Sequence, residues 1–250
     1  ISAILYLFGT KWRSGVSRSA EAMTIFAIMT AGMFPLIHLG RIWVFYWVLP
    51  YPNTAHLWPN FKSPLVWDVV AVTTYFIVSV LFFYLGLLPD LAIARDNTPD
   101  GPRKRMYTFL SLGWTGRYNQ WRHYARAYLA LAALVTPLVI SVHSIVSWDF
   151  SMSMVAGWHT TIFAPYFVAG AIHSGLAMVI LLLVPLRKVL RLERILTPYY
   201  FEQMALLMIL MASIIAYSYV VEHFIGWYSG NIFERQFFFY RAFGSVYSPL

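Results

Sequence analysis

Five apolar stretches, at 22–48, 66–90, 126–148, 158–185 and 199–228, confine this chain to a narrow set of folds. Each is long enough to cross about 30 Å of hydrocarbon as a helix. Hydrocarbon offers no partner to a backbone amide, so a spanning segment must close its hydrogen bonds internally, as a helix does. Residues 1–9 read as the last turns of another span, giving about six in all. The chain stops at Leu250 short of a further one, so it is expected to belong to a longer protein. The expected fold class is all-α, a polytopic transmembrane helical bundle. Residues 1–120 would hold the span remnant, two complete spans and a basic loop, and 121–250 three further spans.

The connections fix an expected orientation. Those at 10–18, 91–126 and 186–197 carry 3, 7 and 4 Lys/Arg, together 14 of the chain's 18. Basic residues on every other connection are what the positive-inside rule produces, which places these three loops in the cytoplasm. The intervening 49–64 and 149–157 segments then face outward.

Composition narrows the function. A chain 60% hydrophobic and 11% charged, with mean hydropathy +0.63, is no soluble domain. Its net charge of +8 sits in loops beside Trp and Tyr, so the bilayer's anionic headgroups are the expected partner, and no nucleic acid. The run from Arg103-Lys104-Arg105 through Gly113-Trp114-Thr115-Gly116-Arg117 to Gln120-Trp121-Arg122-His123 reads as an interfacial segment. With no cysteine, the chain can hold neither a thiolate-ligated iron–sulfur cluster nor covalently attached haem. Neither a phosphate loop nor a nucleophile elbow occurs, and no metal site is expected.

Ionisable groups inside spans are costly when unpaired, which makes them functional candidates. His38 and Arg41 share a helix face, as do Asp68 and Tyr75. Both pairs approach the 49–64 loop, where they would suit a quinone headgroup that needs hydrogen-bond partners and a proton acceptor. An ordinary interhelical hydrogen bond fits the same residues. A second set lies toward the outer ends of the last three spans: His143, Asp149, His159, Glu222 and His223, with Tyr219 near the last two and His173 deeper. It suits a proton-transfer path or a polar network sealing the helices. Histidines on separate spans also raise b-type haem, although the neighbouring carboxylates suit protonation better than ligation. Met204, Met208 and Met211 read as core filler. Pro35, Pro137 and Pro165 are expected to kink their spans.

Several longer words carry a resemblance. They are Phe34-Pro35-Leu36-Ile37-His38-Leu39-Gly40-Arg41, Leu49-Pro50-Tyr51-Pro52-Asn53, Ser111-Leu112-Gly113-Trp114-Thr115-Gly116, Ser141 through Phe150, Gly157-Trp158-His159-Thr160-Thr161-Ile162-Phe163 and Trp227-Tyr228-Ser229-Gly230-Asn231. The chain resembles the NrfD/PsrC-type membrane subunits, specifically the C subunit of bacterial alternative complex III. The resemblance implies a cofactor-free subunit of a quinol:electron-acceptor oxidoreductase, binding menaquinol near the outer surface. Electrons would pass to an iron–sulfur peripheral subunit and on to multihaem c-type cytochromes, beside a second NrfD-like membrane subunit. It carries His38 and Asp68 over as quinol-site residues, and His143 and Asp149 as proposed proton-transfer positions. Arg41, Tyr75, His173, Glu222 and His223 rest on position alone. The alternatives are the membrane anchor of a molybdenum enzyme of polysulfide-reductase type and a proton-coupled secondary transporter.

Overall fold

The computed structural model describes residues 1–38, 42–43, 46 and 61–244, with the side chains of 34–38 excepted. Among these residues every regular element is helical: α1 (Ser2–Leu7), a 3-10 turn (Lys11–Gly15), α2 (Ser17–His38), α3 (Pro64–Asn97), α4 (Pro102–Leu110), α5 (Tyr118–Ser151), α6 (Phe163–Val189), α7 (Pro198–Tyr228) and α8 (Ile232–Phe243). Four of them, α3, α5, α6 and α7, are long and apolar enough to cross a membrane. This is a multi-pass membrane protein, all helical as its hydropathy predicts.

The helices begin and end for local reasons. Pro102 and Pro198 open α4 and α7, where a missing amide costs nothing and the fixed φ is already helical. Asn231 caps α8 by accepting from the Phe233 amide at 2.9 Å, with Glu234 in the first turn and Arg241 in the last. Pro165 falls in the first turn of α6, where amides have no intrahelical acceptor to lose, so it does not interrupt the span as expected. Pro89, Pro137 and Pro185 lie inside α3, α5 and α6. α3 also runs past Leu88-Pro89-Asp90, its expected end, to Asn97. The Gly86 carbonyl, beside the one that Pro89 leaves without an amide, is taken by the Arg18 guanidinium.

The chain forms two compact units, Ile1–Ile42 with Val72–Val139, and Trp43–Ala71 with Ile140–Leu250. The core of the first joins Ala3, Val78, Phe82, Tyr128, Ala132 and Val135. Tyr128 packs against Phe82 at 4.6 Å and edge-on to Tyr6 at 4.8 Å between centroids. In the second, α6 lies along α7 around the fully buried Leu176, Val179, Leu183 and Met204. α8 folds back on α7, where Gly226 leaves room for the Phe238 ring that a Cβ would strike. Lipid tails are as apolar as these side chains, so close packing rather than escape from water holds such contacts. Between 11% and 28% of each span's most apolar window is buried within the chain, which leaves the rest for lipid or partner subunits.

Candidate functional site

Two polar centres emerge, one in each unit. In the second unit, Asp68 in the first turns of α3 and Asp149 in the last turn of α5 lie within electrostatic reach of each other. Their neighbours Trp67 and Trp148 meet edge to face at 6.1 Å, and Trp67 Nε1 donates to the Phe61 carbonyl at 2.6 Å. Oδ1 of each aspartate is buried and accepts no hydrogen bond. A buried carboxylate oxygen without a donor is expensive, so each is suited to gain a partner when a ligand or a proton arrives. Sequence reasoning assigned these aspartates to separate functions; the structure brings them together.

In the first unit, the sequence reading missed the most enclosed carboxylate. Glu21 on α2 is 4% exposed. Its Oε1 accepts from Ser2 Oγ at 2.8 Å and from the Tyr128 hydroxyl at 2.5 Å, and its Oε2 meets Arg18 Nη1 at 3.0 Å. The Arg18 guanidinium continues to Asp90 at 3.0 Å and to the Gly86 carbonyl on α3. One acid–base pair thus joins α1, α2, α3 and α5. A cavity of about 40 Å³ adjoins it, lined by Glu21, Thr24, Tyr75 and Ser79 among others, with room for water. Tyr75, expected on the quinol face, lines this cavity.

The remaining candidates are dispersed. His38 is the last residue of α2, with its side chain outside the described residues, and Arg41 lies outside them altogether. His143 is half-buried on α5. His159 is exposed and its Nδ1 donates to the Ser153 carbonyl at 3.1 Å, whereas His173 Nδ1 donates across to the Met208 carbonyl of α7 at 3.2 Å. Tyr219, Glu222 and His223 share the end of α7, where His223 Nδ1 donates to the Tyr219 carbonyl at 2.8 Å, yet their side chains take different outside partners. Tyr219 meets the Tyr166 hydroxyl of α6 at 2.8 Å, Glu222 pairs with Arg241 of α8 at 3.6 Å, and His223 packs on the Phe238 ring at 4.9 Å. No three of His, Asp and Glu converge as metal ligands among the described residues.

A protein of Halobacterium salinarum, named as a membrane subunit of a dimethyl sulfoxide reductase, is 27% identical over 184 residues, covering 72% of this chain. The match takes in 37% of that protein, so the chain spans well under two thirds of this relative. The family model described as polysulphide reductase, NrfD, matches residues 1–240, from α1 into α8. The chain belongs to the polysulphide reductase NrfD family.

Proposed function

We propose that this chain is the membrane subunit of a molybdenum oxidoreductase of the dimethyl sulfoxide reductase type, which oxidises quinol and passes its electrons to iron–sulfur clusters of a partner subunit. Family membership over residues 1–240 and the similarity to a protein of that name support the molybdenum-enzyme alternative over the alternative complex III reading.

The observation that carries the chemistry is the pair of unpartnered buried oxygens on Asp68 and Asp149. Oxidising a quinol to a quinone releases two electrons and two protons. In this reading the electrons leave for the partner's clusters, and the Asp68 and Asp149 carboxylates each accept one hydroxyl proton. His38, assigned through the resemblance, serves as a hydrogen-bond partner of the headgroup. The basic loops 10–18, 91–126 and 186–197 are cytoplasmic, and the protons are released outward.

Affinity purification of the intact complex, with its proteins identified by mass spectrometry, metal analysis and haem staining, tests the assignment. A molybdopterin subunit retaining its metal, with an iron–sulfur subunit, is expected. A multihaem c-type cytochrome in its place would instead support the alternative complex III reading.

A further inference from the structure

The α4–α5 segment is a rigid platform with its cations facing out. Tyr84 donates to the Leu110 carbonyl at 2.6 Å, and Arg95 Nη1 donates to the Trp114 carbonyl at 3.0 Å and to Ser111 Oγ at 3.3 Å. The Gln120 side chain accepts from the Thr115 amide at 2.9 Å and donates to the Gly113 carbonyl at 3.2 Å. Trp114, itself buried, packs edge-on against Trp121 at 5.1 Å and Tyr124 at 5.5 Å.

On this base stand Arg103, Arg105, Arg117, Arg122 and Arg126, all exposed and none paired with an acidic side chain among the described residues. Lys104 differs, since Asp100 accepts from it at 2.7 Å, an attraction that holds that carboxyl below its ordinary value. Residues 91–126 carry 7 basic and 2 acidic side chains, a surplus of +5.

Apolar side chains share the surface: Phe109 is 78% exposed, Leu112 67% and Tyr118 79%. Leu112 is held at φ 46°, a left-handed conformation that a leucine adopts only under strain. Its outward side chain therefore gains nothing in water. α5 begins at Tyr118 and continues as an apolar span, so Arg117 immediately precedes it and Arg122 lies in its second turn. At 1.5 Å per residue they occupy a layer roughly 6–8 Å deep, about the thickness of a headgroup region.

We infer that the α4–α5 platform is a binding site for anionic phospholipid headgroups, with the five arginines taking the phosphates and Phe109, Leu112 and Tyr118 entering the acyl boundary. An acidic protein would answer the charge but not the exposed apolar residues beside it on a membrane-level surface.

The test is a titration of the delipidated, detergent-solubilised intact complex with phosphatidylglycerol or phosphatidylcholine, read by native mass spectrometry. Wild type is expected to retain phosphatidylglycerol at least tenfold more tightly, with millimolar inorganic phosphate failing to displace it. Each of Arg103→Gln, Arg105→Gln and Arg117→Gln should weaken that binding about fivefold. The control Arg187→Gln/Lys188→Gln/Arg191→Gln, in another basic loop, should leave it intact. Equal affinity of wild type for the two lipids overturns the inference without recourse to any variant. So does unchanged lipid binding in the arginine variants, or loss of a partner protein from them with lipid binding unaltered.

Discussion

Tyr128 on α5 donates its hydroxyl to Glu21 on α2 at 2.5 Å, closing a buried hydrogen bond between residues far apart in sequence. The same oxygen receives Ser2, and the other receives Arg18. Donors to a buried charged acceptor are worth roughly 1.5–3 kcal/mol each, so Tyr128→Phe should destabilise the first unit by about that much. Thermal unfolding of the purified complex measures it. A double-mutant cycle with Glu21→Ala should be clearly non-additive, because both changes remove the same bond.

At Gly86 of α3, a Cβ would collide with the Arg18 guanidinium reaching across from α2 and press on the Glu21 carboxylate. Gly86→Ala is therefore expected to cost about 1–3 kcal/mol despite alanine's better helix propensity, as overpacking does. An unchanged or raised midpoint in the same unfolding assay would mean that Arg18 does not hold the position described.

The Tyr166 and Tyr219 hydroxyls bond to each other at 2.8 Å across α6 and α7. Interhelical hydrogen bonds within membranes average about 0.6 kcal/mol, so each single change to phenylalanine should be mild. The double variant should cost less than the sum of the two.

Glu222 is 8% exposed and pairs with Arg241, which ties α8 to α7. Arg241→Gln leaves that carboxylate without its cation and should loosen the amphipathic helix. Faster hydrogen exchange over 232–243, with exchange over α6 unchanged, is the expected pattern.

Much of this architecture is legible in the sequence because long apolar runs in a bilayer have essentially one solution. The short helices are less so: α4 and α8 carry charges and lack the length that marks a span, although Pro102 and Asn231 do mark their starts. Glu21 is hard to recognise because it stands one residue before an apolar stretch and three after Arg18, a spacing that reads as a solvated pair. Its burial depends on Ser2 and Tyr128, contacts that only the folded chain reveals. Asp68 and Asp149 are each visible as intramembrane acids. Their proximity is not, since no local pattern relates the start of one span to the end of another. Each does follow a tryptophan, and Trp67 and Trp148 are the rings in contact.

The most direct test is quinol-dependent turnover of the purified intact complex carrying Asp68→Asn or Asp149→Asn, with protein and metal content verified. Both substitutions preserve shape and remove the proton acceptor. Each should lower turnover at least tenfold, and a reduced partner cluster should still be reoxidised by the terminal acceptor at the wild-type rate. Normal quinol oxidation in both variants would contradict the assignment and leave the two aspartates as packing residues.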